Sequence, residues 1–350
     1  MMYKNIEKTK TKVSEIGTMS VKSMHRILVT GSTGQIGSEL TVELRKRYGA
    51  DNVVAAGHTK RPSKEFKDAG PFEVLDTSNK DQLTKVVELY DIDTVFHLAA
   101  VLSAVGEQNP QLAWKVNLDG LMNVLELAKT KAISKIFWPS SIAVYGPGVP
   151  RIQVPQEAPL NPITMYGITK AGGELLCNYY HQKYGVDVRC VRYPGIISSE
   201  TLPGGGTTDY SVAMFYGAVT TRTYTCFVRE DTTLPMMYMP DALRGTILLM
   251  EAEPSKVKLH TGYNLAAMSF SAGKLASEIA KHVKGFKCMY ASDWRQKIAD
   301  SWPMSIDDTP AKNDWNWKPE YDLHSMTKEM LEKLFEKQDQ RALLLDKGRD

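Results

Sequence analysis

Residues 27–37 constrain the fold of this chain more than any other stretch. Ile27-Leu28-Val29 is an uninterrupted apolar run, as a strand buried on both faces requires, and Thr30-Gly31-Ser32-Thr33-Gly34-Gln35-Ile36-Gly37 follows it directly. Ile36, Leu40, Leu44 and Tyr48 then recur at four-residue spacing, the stripe of an amphipathic helix. A strand that must turn at once into a helix favours glycine at Gly31. Gly34 lets the backbone approach a phosphate, and Gly37 lets helix and strand pack closely. The first helical turn then offers free N–H groups and a positive dipole end to an anion. Three glycines alone are a weak sign. Placed between a strand and a helix, they predict a dinucleotide-binding turn.

The rhythm continues to about Arg192. Val53-Val54-Ala55-Ala56, Phe72-Glu73-Val74-Leu75, Val95-Phe96-His97-Leu98, Ile136-Phe137-Trp138 and Val188-Arg189-Cys190-Val191 read as further strands. Helical patterns lie between them, around Leu83 to Tyr90, around Leu121 to Ala128, and from Thr164 to Tyr184. Strand–helix alternation of this kind means an α/β fold, a doubly wound parallel sheet of the Rossmann type. After Gly195 the rhythm breaks. Gly204-Gly205-Gly206, Pro203, Pro235 and Pro240 predict loops and short elements there rather than further strand–helix units. The expected division is a dinucleotide-binding domain over 25–200, with 241–252 packing back onto it. A smaller, interleaved C-terminal substrate-binding lobe is expected over 201–240 and 253–350.

Composition excludes several classes. A formal net charge of +3 over 350 residues, with mixed signs throughout, is no nucleic-acid surface. No apolar run approaches the ~20 residues of a membrane helix, so no membrane partner is expected. Cys177, Cys190, Cys226 and Cys288 are widely spaced with no C-x-x-C pair, which favours buried free thiols over a disulfide or a metal site. Residues 1–24 are lysine-rich and apolar-poor, and Met24 directly precedes the first strand. They read as a disordered tail or an alternative start. An organellar presequence is the other reading, which Glu7, Glu15 and the lack of arginine fit poorly.

Two further segments carry chemistry. Tyr166 and Lys170, four apart on a predicted helix, share one face one turn apart. A free phenol titrates near about 10, and making it a base at neutral pH takes roughly 4 kcal/mol of differential stabilisation. A neighbouring ammonium and an oxidised nicotinamide ring both favour phenolate. Pro139-Ser140-Ser141-Ile142-Ala143-Val144-Tyr145-Gly146 follows the fifth strand, at the sheet edge where ligands gather in open α/β folds. Ser141, rather than Ser140, is the candidate to hold the reacting hydroxyl.

The glycine turn, Leu98-Ala99-Ala100, Asn117, the Ser141 loop, Tyr166/Lys170 and Tyr193-Pro194-Gly195, in that order, resemble the extended short-chain dehydrogenase/reductase superfamily. The resemblance implies Tyr166 as general acid/base, Lys170 as the group that holds the nicotinamide ribose and lowers the tyrosine pKa, and Asn117 as a link from the lysine to solvent. It places the cofactor against Gly31, Gly34, Gln35, Ile36, Gly37, Leu75, Asp76, Leu98, Ala99, Ala100, Tyr166, Lys170, Tyr193, Pro194 and Ile196. Dehydratases of that superfamily carry Asp-Glu beside the catalytic Ser or Thr, where this chain has Ile142-Ala143.

Four idiosyncratic strings narrow the resemblance. They begin at Leu102, Pro203, Thr232 and Ala299, and they closely resemble the short-chain-type L-threonine 3-dehydrogenases. That family implies oxidation of the L-threonine side-chain hydroxyl to 2-amino-3-ketobutyrate with reduction of NAD. It places the small amino-acid substrate among Ser103, Ser141, Tyr166, Thr207, Thr208 and Trp302, without a metal. It also implies a homodimer built on the helices bearing Asn117 and Tyr166, mitochondrial in eukaryotes and otherwise cytoplasmic.

One departure bears on the cofactor. Ala55-Ala56-Gly57-His58-Thr59-Lys60-Arg61 ends the second strand without the acid that usually receives the adenosine ribose, so NADP stays open beside NAD. A sugar-nucleotide 4-epimerase or reductase shares the Ser/Tyr/Lys set and also stays open, with Arg222 and Arg229 as candidate diphosphate ligands. A cofactor-sensing regulator commonly lacks the tyrosine or the lysine, and both are present here.

Overall fold

The structure, a computed structural model, describes residues 24–202 and 204–347. The extension read over residues 1–24 lies outside the described residues except for Met24, and so does Pro203. Strand β1 (Ile27–Thr30) leads into α1 (Gln35–Tyr48), then β2 (Val53–Gly57), α2 (Lys64–Asp68), β3 (Phe72–Val74), α3 (Lys80–Leu89) and β4 (Thr94–His97). Two short helices, α4 (Ser103–Gln108) and α5 (Pro110–Trp114), precede α6 (Gly120–Lys129), β5 (Lys135–Ser141), α7 (Met165–Tyr184) and β6 (Asp187–Tyr193).

These strands form one sheet in the order β10-β6-β5-β4-β1-β2-β3, parallel throughout, with β10 (Tyr263–Asn264) at one edge. The central strands β1, β2, β4 and β5 are buried along their length, as helices on both faces require. Chain order reverses between β1 and β4, where Thr30 pairs with His97, so the crevice for a ligand opens at those carboxyl ends.

The segment after Gly195 is more regular than its glycines and prolines predict. It forms β7 (Gly195–Ile197), α8 (Tyr210–Thr220), β8 (Thr223–Cys226), β9 (Thr233–Tyr238), α9 (Met239–Glu251), β11 (Met268–Ser271), α10 (Ala272–His282), β12 (Lys287–Tyr290), α11 (Arg295–Ser301), α12 (Thr309–Trp315) and α13 (Leu323–Lys347). Pro235 sits inside β9 opposite Ser269 of β11, one residue before the pairing with β7 begins at Met236, so it has no ladder partner on the β7 side. Helix α8 is apolar on most sides, so it shows no amphipathic stripe. Its Tyr210, Val212, Met214, Phe215 and Ala218 are all fully buried in a second core.

Helix α9 packs on the first sheet, where Met239, Ala242, Ile247 and Leu249 share a core with Leu40, Phe96 and Phe137. Its C-terminal carbonyls meet two buried cations. Arg189 Nη1 donates to Leu249 O and Ala252 O, both at 2.7 Å, and Lys135 Nζ donates to Met250 O at 3.0 Å. All four cysteines are free thiols. Among the described residues, no helix is long and apolar enough to cross a membrane.

Candidate active site

The glycine turn is shaped by close backbone approach. Gly31 has φ +67°, and a Cβ there would lie 2.7 Å from Ala99 N; a Cβ on Gly37 would lie 2.2 Å from Gly31 O. Any side chain at either position would push α1 away from β1 and β4. Gly34 starts α1 in an extended conformation, with no side-chain cap and no acid in the first turn. The helix therefore presents its first N–H groups and dipole uncompensated to the cavity lined by Gly31, Gly34, Gln35, Ile36 and Gly37. These residues fit the pyrophosphate of a dinucleotide.

The same cavity continues over the ends of β4, β5 and β6 to Leu98, Ala100, Ser141, Tyr166, Lys170, Tyr193, Pro194 and Ile196, and closes at Ser103, Thr207, Thr208 and Trp302. Most of the predicted site residues thus meet in one space. Gln35 Nε2 donates to Ile196 O at 3.3 Å, joining α1 to β7 across its floor. Leu75, Asp76, Ala99 and Asn117 do not line the cavity. Ala99 packs against Gly31, while Asp76 Oδ1 accepts from Ser78 N at 2.9 Å and Ser78 Oγ at 2.8 Å.

Strand pleating separates the two serines. Ser140 donates to Glu174 Oε1 at 2.5 Å, on the side of the buried Arg192–Glu174 ion pair. Ser141 points the other way, accepts from Ala143 N at 3.2 Å, and hydrogen-bonds the Tyr166 phenol. Tyr166 stands in the first turn of α7, which Thr164 caps by accepting from Gly167 N at 3.1 Å. One turn on, Lys170 Nζ donates to Pro139 O at 2.6 Å and lies 5.6 Å from the centre of the Tyr166 ring.

Electrostatics at this pair differ from the expectation. Burial pushes the Tyr166 phenol up to about 12, with the Ser141 hydrogen bond acting in the opposite direction. Burial also pushes the Lys170 ammonium down to about 8. Withdrawal from water thus governs both groups, and the phenol stays neutral at physiological pH.

Asn117 is not in a regular helix. It sits in a π-helical turn, Lys115–Asp119, between α5 and α6. Its Nδ2 donates to Val101 O at 3.1 Å and to Thr169 Oγ1 at 3.0 Å, and its Oδ1 accepts from Val101 N at 2.7 Å. It ties the strand-β4 loop to the residue beside Lys170. The extra residue of such a turn rotates one side chain out of register, and an apolar stripe does not register it.

At the end of the cavity away from the glycine turn, Ser103 Oγ and Thr207 Oγ1 are 3.1 Å apart, and Trp302 is buried. Asp209 is a lining residue the sequence reading missed. Its Oδ2 accepts from Gly205 N and Gly206 N, both at 2.8 Å, so the glycine run is a loop folded around a carboxylate. The pattern Gly-Gly-Gly-Thr-Thr-Asp was the available sign of it. His97 is buried, with Nδ1 2.8 Å from Thr30 Oγ1, and burial together with the Lys170 charge pushes it down to about 3. It is neutral at the working pH. His58, Thr59, Lys60 and Arg61, after β2, are exposed.

The profile of the NAD dependent epimerase/dehydratase family matches residues 27–266. The chain belongs to that family. Its relatives include an uncharacterized epimerase/dehydratase from Staphylococcus haemolyticus, 47% identical over 316 residues, 90% of this chain and 99% of the relative. Among solved structures it is similar to the GalE-like L-threonine dehydrogenase from Cupriavidus necator in its holo form. That likeness has 49% identity and a TM-score of 0.86 over 88% of this chain and 99% of that one. It is also similar to a monomeric L-threonine 3-dehydrogenase from a metagenome, with 47% identity and a TM-score of 0.85 over 89% and 99% of the two chains. The family accounts for the glycine turn, the parallel sheet and a nicotinamide cofactor.

Proposed function

We propose that the chain oxidises the 3-hydroxyl of L-threonine to 2-amino-3-ketobutyrate, with NAD as hydride acceptor. The observation that carries this reading is the convergence of Ser141, Tyr166 and Lys170 on one side of a cavity that Ser103, Thr207, Thr208 and Trp302 close. Bound NAD supplies the hydride acceptor and a positive ring.

Ser141 holds the threonine hydroxyl beside the phenol, and Tyr166 takes its proton as the adjacent C–H bond is lost. A phenol that burial pushes up to about 12 is a poor base alone. Lys170, one turn away and itself pushed down to about 8, holds positive charge loosely enough to answer the changing charge on Tyr166. Asn117 positions this assembly through Thr169 rather than by touching the lysine. Ser103 and Thr207 receive the substrate with neutral hydroxyls, which donate to its carboxylate or accept from its ammonium. Trp302 and Leu102 exclude water, which fixes a small zwitterion in one orientation.

The substrate end favours this over a nucleotide sugar. Arg222 is exposed, and Arg229 pairs at the surface with Asp300 at 2.8 Å; neither lines the cavity. A diphosphate would find no arginine there. L-Threonine should therefore reduce NAD in a purified preparation, followed as nicotinamide absorbance, with NADP a weaker acceptor. Turnover of a nucleotide sugar without threonine turnover would refute the reading.

We propose further that two copies associate through α5 and α7. Leu112, Trp114, Ile168, Leu175 and Tyr179 are all exposed on those helices, an apolar face that a lone soluble chain rarely keeps. One of the similar structures is a monomer, so this face, and not the family, carries the reading.

A further inference from the structure

Glu278, His282 and His324 lie on the second lobe and share no residue with the catalytic cavity. Glu278 and His282 are one turn apart on α10, so their side chains project from one face. His324 comes from the first turn of α13, 42 positions beyond His282 in the sequence. No sequence spacing announces the group; the packing of α13 on α10 makes it.

We propose that Glu278, His282 and His324 bind a divalent transition ion of the zinc class, joining α10 to the start of α13. Glu278 Oε1 is 2.8 Å from His324 Nδ1 and 3.6 Å from His282 Nε2, and the three donor atoms all lie within 4.8 Å of one another. Ligands about 2.0–2.1 Å from a tetrahedral zinc sit about 3.3 Å apart, so small side-chain shifts bring all three onto one ion. One carboxylate and two imidazoles are donors that suit zinc rather than calcium or magnesium, and the remaining positions are open to water.

The burial gradient supports a built site. The Glu278 side chain is 9% exposed, His282 27% and His324 66%, so the carboxylate is fixed at the base and the two imidazoles stand at the entrance. Glu278 is held from both sides, by Lys281 Nζ at 2.6 Å on Oε2 and by His324 Nδ1 at 2.8 Å on Oε1. Its charge is answered by Lys281, whose Nζ is 2.6 Å from Oε2, the oxygen that faces neither histidine. The Lys281 side chain is 66% exposed and can swing to solvent, leaving Oε1 with the two rings.

Such an ion would anchor the start of α13. Farther along that helix, Lys337 Nζ donates to Ser199 O at 2.8 Å, in the segment that follows cavity-lining β7. The ion would therefore hold a helix that braces the active-site wall, without entering the chemistry.

The test uses the full chain stripped with chelator, titrated with zinc chloride by calorimetry and with cobalt chloride by visible absorption. One equivalent should bind, with cobalt showing the intense bands of low coordination, and zinc should raise the Tm. His282→Gln and His324→Gln should each weaken binding at least tenfold and abolish the Tm shift. Both positions are partly or largely exposed, so the variants should fold, which circular dichroism checks. Lys281→Ala should tighten binding several-fold, because a competing cation is gone; a purely structural ion-pair role for Glu278 would predict only lost stability. No binding by the wild-type chain, binding unchanged in both histidine variants, or weaker binding by Lys281→Ala would each overturn the proposal.

Discussion

Lys170 Nζ lies over the ring of Tyr166 at 5.6 Å, yet it donates its hydrogen bond to the carbonyl of Pro139 and not to the phenol. The lysine is thus tethered to the end of β5, the strand that also delivers Ser141. It makes no hydrogen bond to the phenol, and burial is what raises that group. Two consequences follow for catalysis.

Tyr166→Phe should lower kcat by about 10²–10⁴, the usual contribution of a positioned acid or base. Phenylalanine keeps the ring against its neighbours and removes only the hydroxyl. Cofactor affinity, read by fluorescence quenching, should therefore change no more than a few-fold. Near-normal turnover would place the proton acceptor elsewhere.

Turnover should rise with pH. The phenol titrates at about 12 when buried, so at neutral pH only a small fraction is base, and that fraction grows as protons are withdrawn. A positive charge nearby moves this rise to lower pH. Lys170→Met removes that charge, so the ascending limb of kcat/KM with saturating NAD should move to higher pH and neutral-pH turnover should fall. An unmoved limb would mean the lysine serves only to bind the ribose.

Much of this site was legible in the sequence because it follows local rules. The left-handed backbone of Gly31 and the approach of Gly37 to Gly31 O act within the turn itself, and Tyr166 and Lys170 share a face by helical period alone. Ser141 rather than Ser140 follows from strand alternation once β5 is placed. What stayed hidden depends on long-range packing. Helix α8 is wrapped by the second core and shows no stripe, so a buried helix read as loop. The π turn at Asn117 breaks no apolar pattern. The raised phenol is a product of burial, and the lysine next to it in sequence pointed the opposite way.

Beneath the serines, Arg192 and Glu174 form a buried pair, with Arg192 Nη2 2.7 Å from Glu174 Oε2 and Ser140 sharing Oε1. Arg192 also donates to Tyr145 OH at 2.7 Å and Gln156 O at 2.9 Å. Glu174→Gln leaves the guanidinium buried without its counter-charge, which should cost about 3 kcal/mol or more of stability in chemical denaturation. A loss no larger than that of a surface substitution would show that the remaining partners suffice.

Leu175 is 63% exposed on α7 and Trp114 50% exposed on α5. If two copies meet on this face, Leu175→Glu places a charge in the contact. Sedimentation should then show the monomer at concentrations where the wild-type chain is dimeric. A wild-type chain that is already monomeric at micromolar concentration would sink the proposed association.

Glu39, hydrogen-bonded by Ser198, contributes a pH dependence to stability. Burial pushes its carboxyl from an ordinary 4.5 up to about 7, against the hydrogen bond from Ser198 and the charges of Lys333 and Lys337. A folded-state pKa above the unfolded one means the folded protein holds a proton that the unfolded chain releases. The stability this gives is fully present below about 4.5 and is lost as pH rises toward about 7. Glutamine copies the protonated form and keeps an acceptor for Ser198. Glu39→Gln should therefore match the wild type at pH 4 and exceed it by on the order of 2–3 kcal/mol at pH 8. Denaturant midpoints measured at both pH values read the difference, and a gain that does not grow with pH would mean Glu39 is ionised in the folded chain throughout.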